Sequence, residues 1–319
     1  MTFLKSIDPK KAASWVGAVL MAASLFFIVR QIMSMWQDID LSILADAWVL
    51  TALLGLVLVE GSAIILASIN YRILIKNVSG ITVERPLATV VYMVSNLYKY
   101  IPSGVMFVLG RNRMALETQG LSHGKVLLAT VLEGVFAAVA ALILSGVLIF
   151  DYVIYYFYQL DIWPMVGLAL GIAALIVLPV LYLFRRRIQA YFSTLKTDTE
   201  VLRPTVLLKR LAFGAVPMGL STISFTVTLT LLGQPMTLGL GITVMGLFIL
   251  SWLAGFLAPG VPSGIGVREA VLLMFLAGTL NEGILLSAVI LHRVLTVVGD
   301  VMAYGAVLGY ARMKKSAEG

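Results

Sequence analysis

Ala258-Pro259-Gly260-Val261-Pro262-Ser263-Gly264-Ile265-Gly266-Val267-Arg268-Glu269 is a short polar stretch inside the long apolar segment 238–280. In lipid, every backbone N–H and C=O group needs an internal partner, so Pro and Gly at membrane depth are tolerated only where they line a protein cavity. An adjacent Arg and Glu at that depth are costly unless they serve a function. The stretch therefore predicts a broken helical hairpin and marks the first place to look for a functional site.

The composition of the 319 residues indicates a single transmembrane domain that covers positions 1–319. The chain is 60% hydrophobic and 12% charged, about half the charge of a typical soluble domain. It has no cysteine, and His123 and His292 lack the spacing of metal ligands, so we predict no cofactor, no metal and no catalytic residues. The net charge of +7 comes from basic residues at helix ends. This placement favours membrane topology over nucleic acid as its explanation.

Apolar runs extend along the whole sequence and predict an all-α, polytopic membrane protein. The runs are roughly 13–33, 48–69, 86–110, 124–150, 164–184, 208–232, 238–258, 266–280 and 284–310. The first run follows a basic start, as in a signal peptide. Its membrane-spanning length and its lack of a small-residue cleavage site favour a retained helix.

Charge bias predicts which loops face the cytoplasm, because Lys and Arg favour cytoplasmic loops. The segments 1–12, 70–85, 111–125, 185–210 and 311–319 hold 19 of the 23 Lys and Arg residues. The segments 34–47, 151–163, 233–237 and 281–283 hold none, and all but 233–237 carry acidic residues instead. We therefore expect an integral inner-membrane (plasma-membrane) protein with both termini in the cytoplasm.

This topology makes two apolar segments return to the side from which they start. The segment 86–110 has basic residues at both ends and is too short for two spans of about 20 residues, which predicts a re-entrant hairpin with its tip at Pro102-Ser103-Gly104. The segment 238–280 begins and ends on the outer side and turns at Pro262-Ser263-Gly264. Its greater length leaves open whether it crosses fully.

The two halves of the chain then match as an inverted repeat, repeat 1 at about 1–150 and repeat 2 at about 160–312. Each half has three spanning helices and one hairpin broken at Pro-Ser-Gly, and the two breaks are 160 residues apart. The halves start on opposite sides. Inverted repeats with broken helices are common in transporters, where the substrate site lies at the repeat interface. Chance similarity of two apolar hairpins is the alternative.

Two cations near the breaks form a candidate anion site. Lys99 and Arg268 each lie a few residues from a Pro-Ser-Gly turn, and the helix after each turn contributes its N-terminal dipole and free N–H groups. Together these groups can hold a phosphate. The alternative is that they form structural salt bridges, for instance between Arg268 and an acid on another helix.

Intramembrane acids provide a second group of candidates for a role in transport. Arg293 and Asp300 are seven residues apart and share a helix face, while Glu60 and Glu133 lie within other apolar runs. Such acids usually face a bundle interior or a water-filled path. Glu60 or Glu133 can either pair with Arg293 or take up protons with Asp300 as a charge relay.

Several motifs resemble the lysylphosphatidylglycerol synthase transmembrane-region family of flippase-like membrane proteins. They are Pro259-Gly260 with the residues from Pro262 to Glu269, then Leu291-His292-Arg293-Val294-Leu295-Thr296, and in the first half Asn96 to Gly120 with Pro102, Gly104, Arg111 and Gly120. The resemblance implies that Arg111, Gly266, Glu269 and Arg293 belong to a lipid-binding site. One departure is Leu132-Glu133-Gly134-Val135, where the family often has a Glu-Arg pair and a following Asp, so a charge network on this helix is in question.

These residues contain no counterpart of the aminoacyl-transfer domain found in two-domain family members. The resemblance therefore implies that the protein binds and translocates an anionic membrane lipid, either a phospholipid or a polyprenyl-phosphate-linked lipid. Two other classes stay open: a membrane-embedded enzyme of lipid-linked sugar metabolism, which Asp38 and Asp40 fit loosely, and a non-transporting scaffold for envelope-synthesis enzymes. The lipid, the energy coupling and the oligomeric state are not determined by the sequence.

Overall fold

A computed structural model describes residues 46–100, 106–152, 204–258, 262–264 and 266–318, and this part of the chain contains helices and no strands. The helices are α1 (Ala47–Ser79), α2 (Arg85–Leu97), α3 (Met106–Gln119), α4 (His123–Leu148), α5 (Pro204–Leu231), α6 (Leu238–Leu257), α7 (Val267–Leu276) and α8 (Glu282–Glu318). Two 3₁₀ turns, Tyr98–Tyr100 and Pro262–Gly264, lie between them.

Five of these helices, α1, α4, α5, α6 and α8, are long and apolar enough to cross a membrane. The prediction of an all-α polytopic membrane protein is confirmed. The predicted helices at 13–33 and 164–184 lie outside the described residues.

The first predicted hairpin is broken in the structure. Helices α2 and α3 have 13 and 14 residues, or about 20 Å each at 1.5 Å per residue, which is less than the ~30 Å hydrocarbon core. They pack against each other, and α2 ends in the 3₁₀ turn Tyr98–Tyr100. Lys125 Nζ, after the hairpin, donates to the carbonyl oxygen of Ser79, before it, at 3.1 Å. The chain therefore returns to the end where the hairpin starts. The predicted tip, Pro102-Ser103-Gly104, lies outside the described residues.

The second hairpin has arms of unequal length. Helix α6 has 20 residues and is long enough to cross, whereas α7 has 10 residues, about 15 Å. The N–H of Asn281, after the hairpin, donates to Gln234 Oε1, before it, at 3.2 Å. This hairpin also returns to the end where it starts, and only its first arm has the length of a full span.

The charged loops separate into two ends of the molecule. We call residues 72–85 and 111–125 the basic end, to which the Lys125–Ser79 bond belongs. The acidic end comprises Asp46, Asp151 and Glu282. There the Tyr152 hydroxyl donates to the Phe275 carbonyl, and Leu231 packs against the N-terminal turns of α1. The segregation of charge that the sequence predicts is present in the fold.

The direction of the helices reverses between the two halves. Helix α1 runs from the acidic end to the basic end, and α4 runs back to the acidic end. Helix α5 starts at the basic end, where Arg210 Nη1 donates to Asn70 Oδ1 at 3.1 Å. Helix α8 runs from the acidic end back to the basic end. The first hairpin belongs to the basic end and the second to the acidic end. These directions are those that an inverted repeat requires, and the repeat itself, with the boundaries 1–150 and 160–312, stays a prediction.

Helices α1 and α8 cross at backbone contact. A Cβ atom added to Gly299 would lie 2.8 Å from Glu60 Cβ and 2.9 Å from the backbone nitrogen of Gly61. Small residues allow membrane helices to approach this closely. The crossing fixes α8 against the first half, and α8 carries His292, Arg293 and Asp300, which are described next.

Candidate anion-binding site

Helix α8 carries three polar contacts to three other elements. His292 contacts Glu60 on α1, Arg293 contacts Glu269 on α7, and Asp300 contacts Lys99 in the turn after α2. The 3.6-residue period places positions 293 and 300 on one face of the helix, as the sequence analysis predicts. Helix α8 therefore links the first half of the protein to both hairpins.

The two helix breaks meet in the interior of the fold. Cα atoms of the turn Tyr98–Tyr100 lie within 8 Å of Cα atoms of the turn Pro262–Gly264. The second turn needs glycine, because Gly264 has φ of +69° and a Cβ atom there would lie 2.7 Å from Gly255 Cα on α6. Ser263 also has a positive φ, +52°. The turn at the end of α2 thus lies close to the second break, and the convergence of the two Pro-Ser-Gly tips, of which the first lies outside the described residues, stays a prediction.

Lys99 is paired with an acid, which is the structural salt bridge that was the alternative to an anion site for this residue. Its Nζ lies 2.8 Å from Asp300 Oδ2. The same oxygen accepts hydrogen bonds from the Tyr100 hydroxyl at 3.0 Å and from Asn96 Nδ2 at 3.3 Å. The Asp300 carboxylate is buried, and its charge offsets that of Lys99. Binding of a substrate by Lys99 stays a prediction.

Arg268 differs from Lys99, Arg111 and Arg293 because it has no carboxylate in contact within the described part of the chain. Its Nε is buried and has no hydrogen-bond acceptor, and among the described residues no carboxylate lies within 4 Å of its guanidinium. The predicted alternative, a salt bridge with an acid on another helix, does not occur there. Its charge interacts over longer distances with Arg293, Glu269 and Tyr100. A Cβ atom added to Gly264 would lie 3.1 Å from Arg268 Nε, so Arg268 is adjacent to the junction of the two turns.

Glu269 lies between Arg293 and the start of α7. Its Oε1 is 2.6 Å from Arg293 Nη2, and its Oε2 accepts a hydrogen bond from the Gly266 N–H at 2.8 Å. Gly266 adopts φ of +82°, a conformation that a side chain would strain. The Glu269 carboxylate therefore caps the start of α7 and also offsets the charge of Arg293.

Arg111 and Glu133 form a separate, fully partnered cluster. Arg111 Nη1 lies 2.6 Å from Glu133 Oε2, and Arg111 Nε donates to Ser95 Oγ at 3.0 Å. The Tyr92 hydroxyl donates to Glu133 Oε1 at 2.8 Å. The guanidinium carbon lies 4.4 Å from the Tyr92 ring centroid and 4.8 Å from that of Tyr71. The question raised by the missing Arg and Asp next to Glu133 is answered, because Glu133 has a charge network that uses Arg111.

Glu60 has a different partner from the predicted one. His292 Nε2 lies 3.1 Å from Glu60 Oε1, and its ring packs edge-on against Phe225 and Phe248. The prediction that Glu60 or Glu133 pairs with Arg293 is wrong, because closer partners on other helices take both acids. Whether these acids and Asp300 relay protons stays a prediction.

Several polar partners were missed although a signal for them exists. Ser95 and Asn96 lie three and four positions after Tyr92, and Lys99 lies three positions after Asn96, so these residues form one polar stripe on an otherwise apolar helix. The structure places Tyr92 and Ser95 on the Arg111–Glu133 cluster and places Asn96 and Lys99 on Asp300. From this stripe, the helix face could have been predicted to pack against buried charged side chains.

A search of known protein families and of curated proteins finds no match to this sequence. The resemblance to the lysylphosphatidylglycerol synthase transmembrane-region family therefore stays a prediction. Function has to be argued from the arrangement of charges in the fold.

Proposed function

We propose that this protein binds an anionic membrane lipid between its two broken helices and moves the lipid headgroup across the membrane. The observation that carries the proposal is Arg268, a cation beside the junction of both helix breaks that has no acid in contact. Its Nε is buried and has no acceptor among the described residues, and a buried donor left unpaired is costly. A negatively charged ligand that approaches the junction would remove that cost.

The surroundings of Arg268 favour a phosphate as the ligand. Arg268 lies in the first turn of α7, where the helix dipole and free backbone N–H groups attract anions. Guanidinium groups bind phosphate through pairs of parallel hydrogen bonds. Acyl or prenyl chains can stay in the bilayer while the headgroup occupies the protein interior.

The arrangement of hairpins suggests how the headgroup changes sides. One hairpin belongs to the basic end and the other to the acidic end, and they meet at the junction. Small rocking of one half against the other would open the junction alternately to each end. Following the charge bias, the basic end faces the cytoplasm of an inner membrane, and both termini lie on that side.

A reconstituted transfer assay tests the proposal. The purified protein is placed in vesicles that contain a fluorescent phosphatidylglycerol, and loss of fluorescence to a membrane-impermeant quencher reports lipid transfer between leaflets. We expect the wild-type protein to accelerate transfer and Arg268→Ala to abolish the acceleration while remaining folded.

The matched control is Arg113→Ala, which removes an exposed arginine that pairs with Glu117 on the same helix. It should transfer lipid as the wild-type protein does. Wild-type protein that is folded in vesicles and transfers no anionic lipid would overturn the proposal and favour a membrane enzyme or a scaffold. Unfolding of Arg268→Ala would instead indicate a structural role for Arg268.

A further inference from the structure

We infer that Arg268 and Arg293 together form the headgroup seat, and that Glu269 restricts the seat to phosphate diesters with a single negative charge. This inference rests on the proposed function and names the substrate class. It concerns Arg268 and Glu269 in the first turn of α7 and Arg293 on α8, which contacts Glu269.

Arg268 has a buried N–H group without an acceptor, whereas the neighbouring Arg293 is in contact with Glu269. Arg268 Nε has no acceptor among the described residues, and Arg293 Nη2 lies 2.6 Å from Glu269 Oε1. The Glu269 carboxylate thus partners Arg293 and leaves Arg268 without an acid. A buried donor left unpaired is costly, and a phosphate oxygen is an acceptor that can satisfy it.

The charge of the seat follows from its three members. Arg268 and Arg293 contribute two positive charges and Glu269 removes one, while the neighbouring Lys99 and Asp300 offset each other. The net charge is one positive unit. Tyr100, which donates to Asp300, adds a hydroxyl and no charge.

This charge distinguishes two kinds of phosphate. A phosphodiester carries one negative charge and makes the occupied seat neutral, whereas a phosphomonoester well above its second pKa of about 6 carries two and leaves one negative charge in the interior. Uncompensated charge in a protein interior is costly. The seat should therefore prefer diester headgroups, and removing the Glu269 charge should make it accept a monoester.

Competition binding tests the inference with two lipids of equal chain length. The full-length protein in detergent is loaded with a fluorescent phosphatidylglycerol. It is then titrated with either dihexanoyl phosphatidylglycerol, which is a diester, or dihexanoyl phosphatidic acid, which is a monoester. The pH is about 8.5, far above the second phosphate pKa of about 6. We expect wild-type protein to bind the diester at least about tenfold more tightly, a factor that corresponds to about 1.4 kcal/mol.

The variant Glu269→Gln should shift the ratio of diester affinity to monoester affinity by at least about tenfold toward the monoester. The control Glu117→Gln, at an exposed ion pair, should leave this ratio unchanged. Equal wild-type affinities, or an unchanged ratio in folded Glu269→Gln, would overturn the inference. If Glu269→Gln does not fold, the wild-type ratio alone decides. Transfer without selectivity rejects only this inference, whereas the absence of both binding and transfer rejects the proposed function.

Discussion

Glu133→Leu should destabilise the protein strongly, because it removes the acid of a buried cluster and leaves the base. Arg111 is buried and lies 2.6 Å from Glu133, whose other oxygen accepts the Tyr92 hydroxyl bond. Breaking a buried ion pair by removing one partner costs about 3–5 kcal/mol, since the remaining charge is uncompensated. Ser95 and the two tyrosine rings remain around Arg111 and cannot neutralise it.

The double variant R111M/E133L separates the cost of an unpaired charge from the worth of the pair. Replacement of a buried pair by apolar residues of similar volume is often neutral, so the double variant should be clearly more stable than Glu133→Leu alone. The free energy of unfolding can be measured in mixed micelles by titration with dodecyl sulfate, with helical circular dichroism as the signal. Glu117→Leu at the exposed pair with Arg113 is the control and should change stability by less than about 1 kcal/mol.

A cost below about 1 kcal/mol for Glu133→Leu, similar to a surface pair, would refute the reasoning. The same conclusion would follow if the double variant lost as much stability as the two single variants combined. Either result would mean that the interior is more hydrated than the packing around Arg111 indicates.

Three further predictions concern topology and close packing. The chain has no cysteine of its own, so single cysteines report topology directly. Glu117→Cys should react only with a thiol reagent on the cytoplasmic side and Asn281→Cys only with a reagent outside. The opposite labelling would reject the assigned orientation. Gly299→Ala should destabilise the protein by about 1–3 kcal/mol through overpacking against α1. Gly309→Ala, with open space around it, should not. Equal thermal midpoints for the two variants would contradict the close crossing of α1 and α8. Gly264→Ala should cost more than about 2 kcal/mol, because it adds the strain of a positive φ to a 2.7 Å clash, and full lipid transfer by a stable variant would contradict the need for this turn.

The helix breaks and the separation of charge into two ends could be predicted from local sequence. Pro262, Ser263 and Gly264 interrupt an apolar segment, and a helix cannot continue regularly through them. The basic and acidic loops alternate along the chain, and their spacing is set by the length of a membrane span. The assignment of each loop to one of the two ends therefore follows from the order of the spans.

The partners of the buried charges could not be predicted in the same way. Lys99 and Asp300 are 201 positions apart, and their contact depends on how far α8 slides along the first hairpin and how it rotates. Those two quantities are set by close packing, such as the contact of Gly299 with α1. The sequence identifies these residues as buried charges and leaves several pairings equally compatible with it.

Arg268 shows what the sequence does and does not determine. Its position next to a helix break was sufficient to propose an anion site, and its lack of an acidic neighbour within 4 Å required coordinates. Lys99, the symmetric candidate, has its charge offset by Asp300. The cations beside the two breaks therefore differ in whether an acid offsets their charge.

The most direct test of the account locates the headgroup inside the protein. The protein is reconstituted with a phosphatidylglycerol analogue that carries a photoreactive group on its headgroup, and the labelled peptides are identified by mass spectrometry after irradiation. The account predicts labelling of the segments 96–100 and 262–269 in the wild-type protein and its loss in Arg268→Ala. Labelling confined to exposed apolar side chains such as Leu142 and Val147 on α4, unchanged in Arg268→Ala, would contradict it.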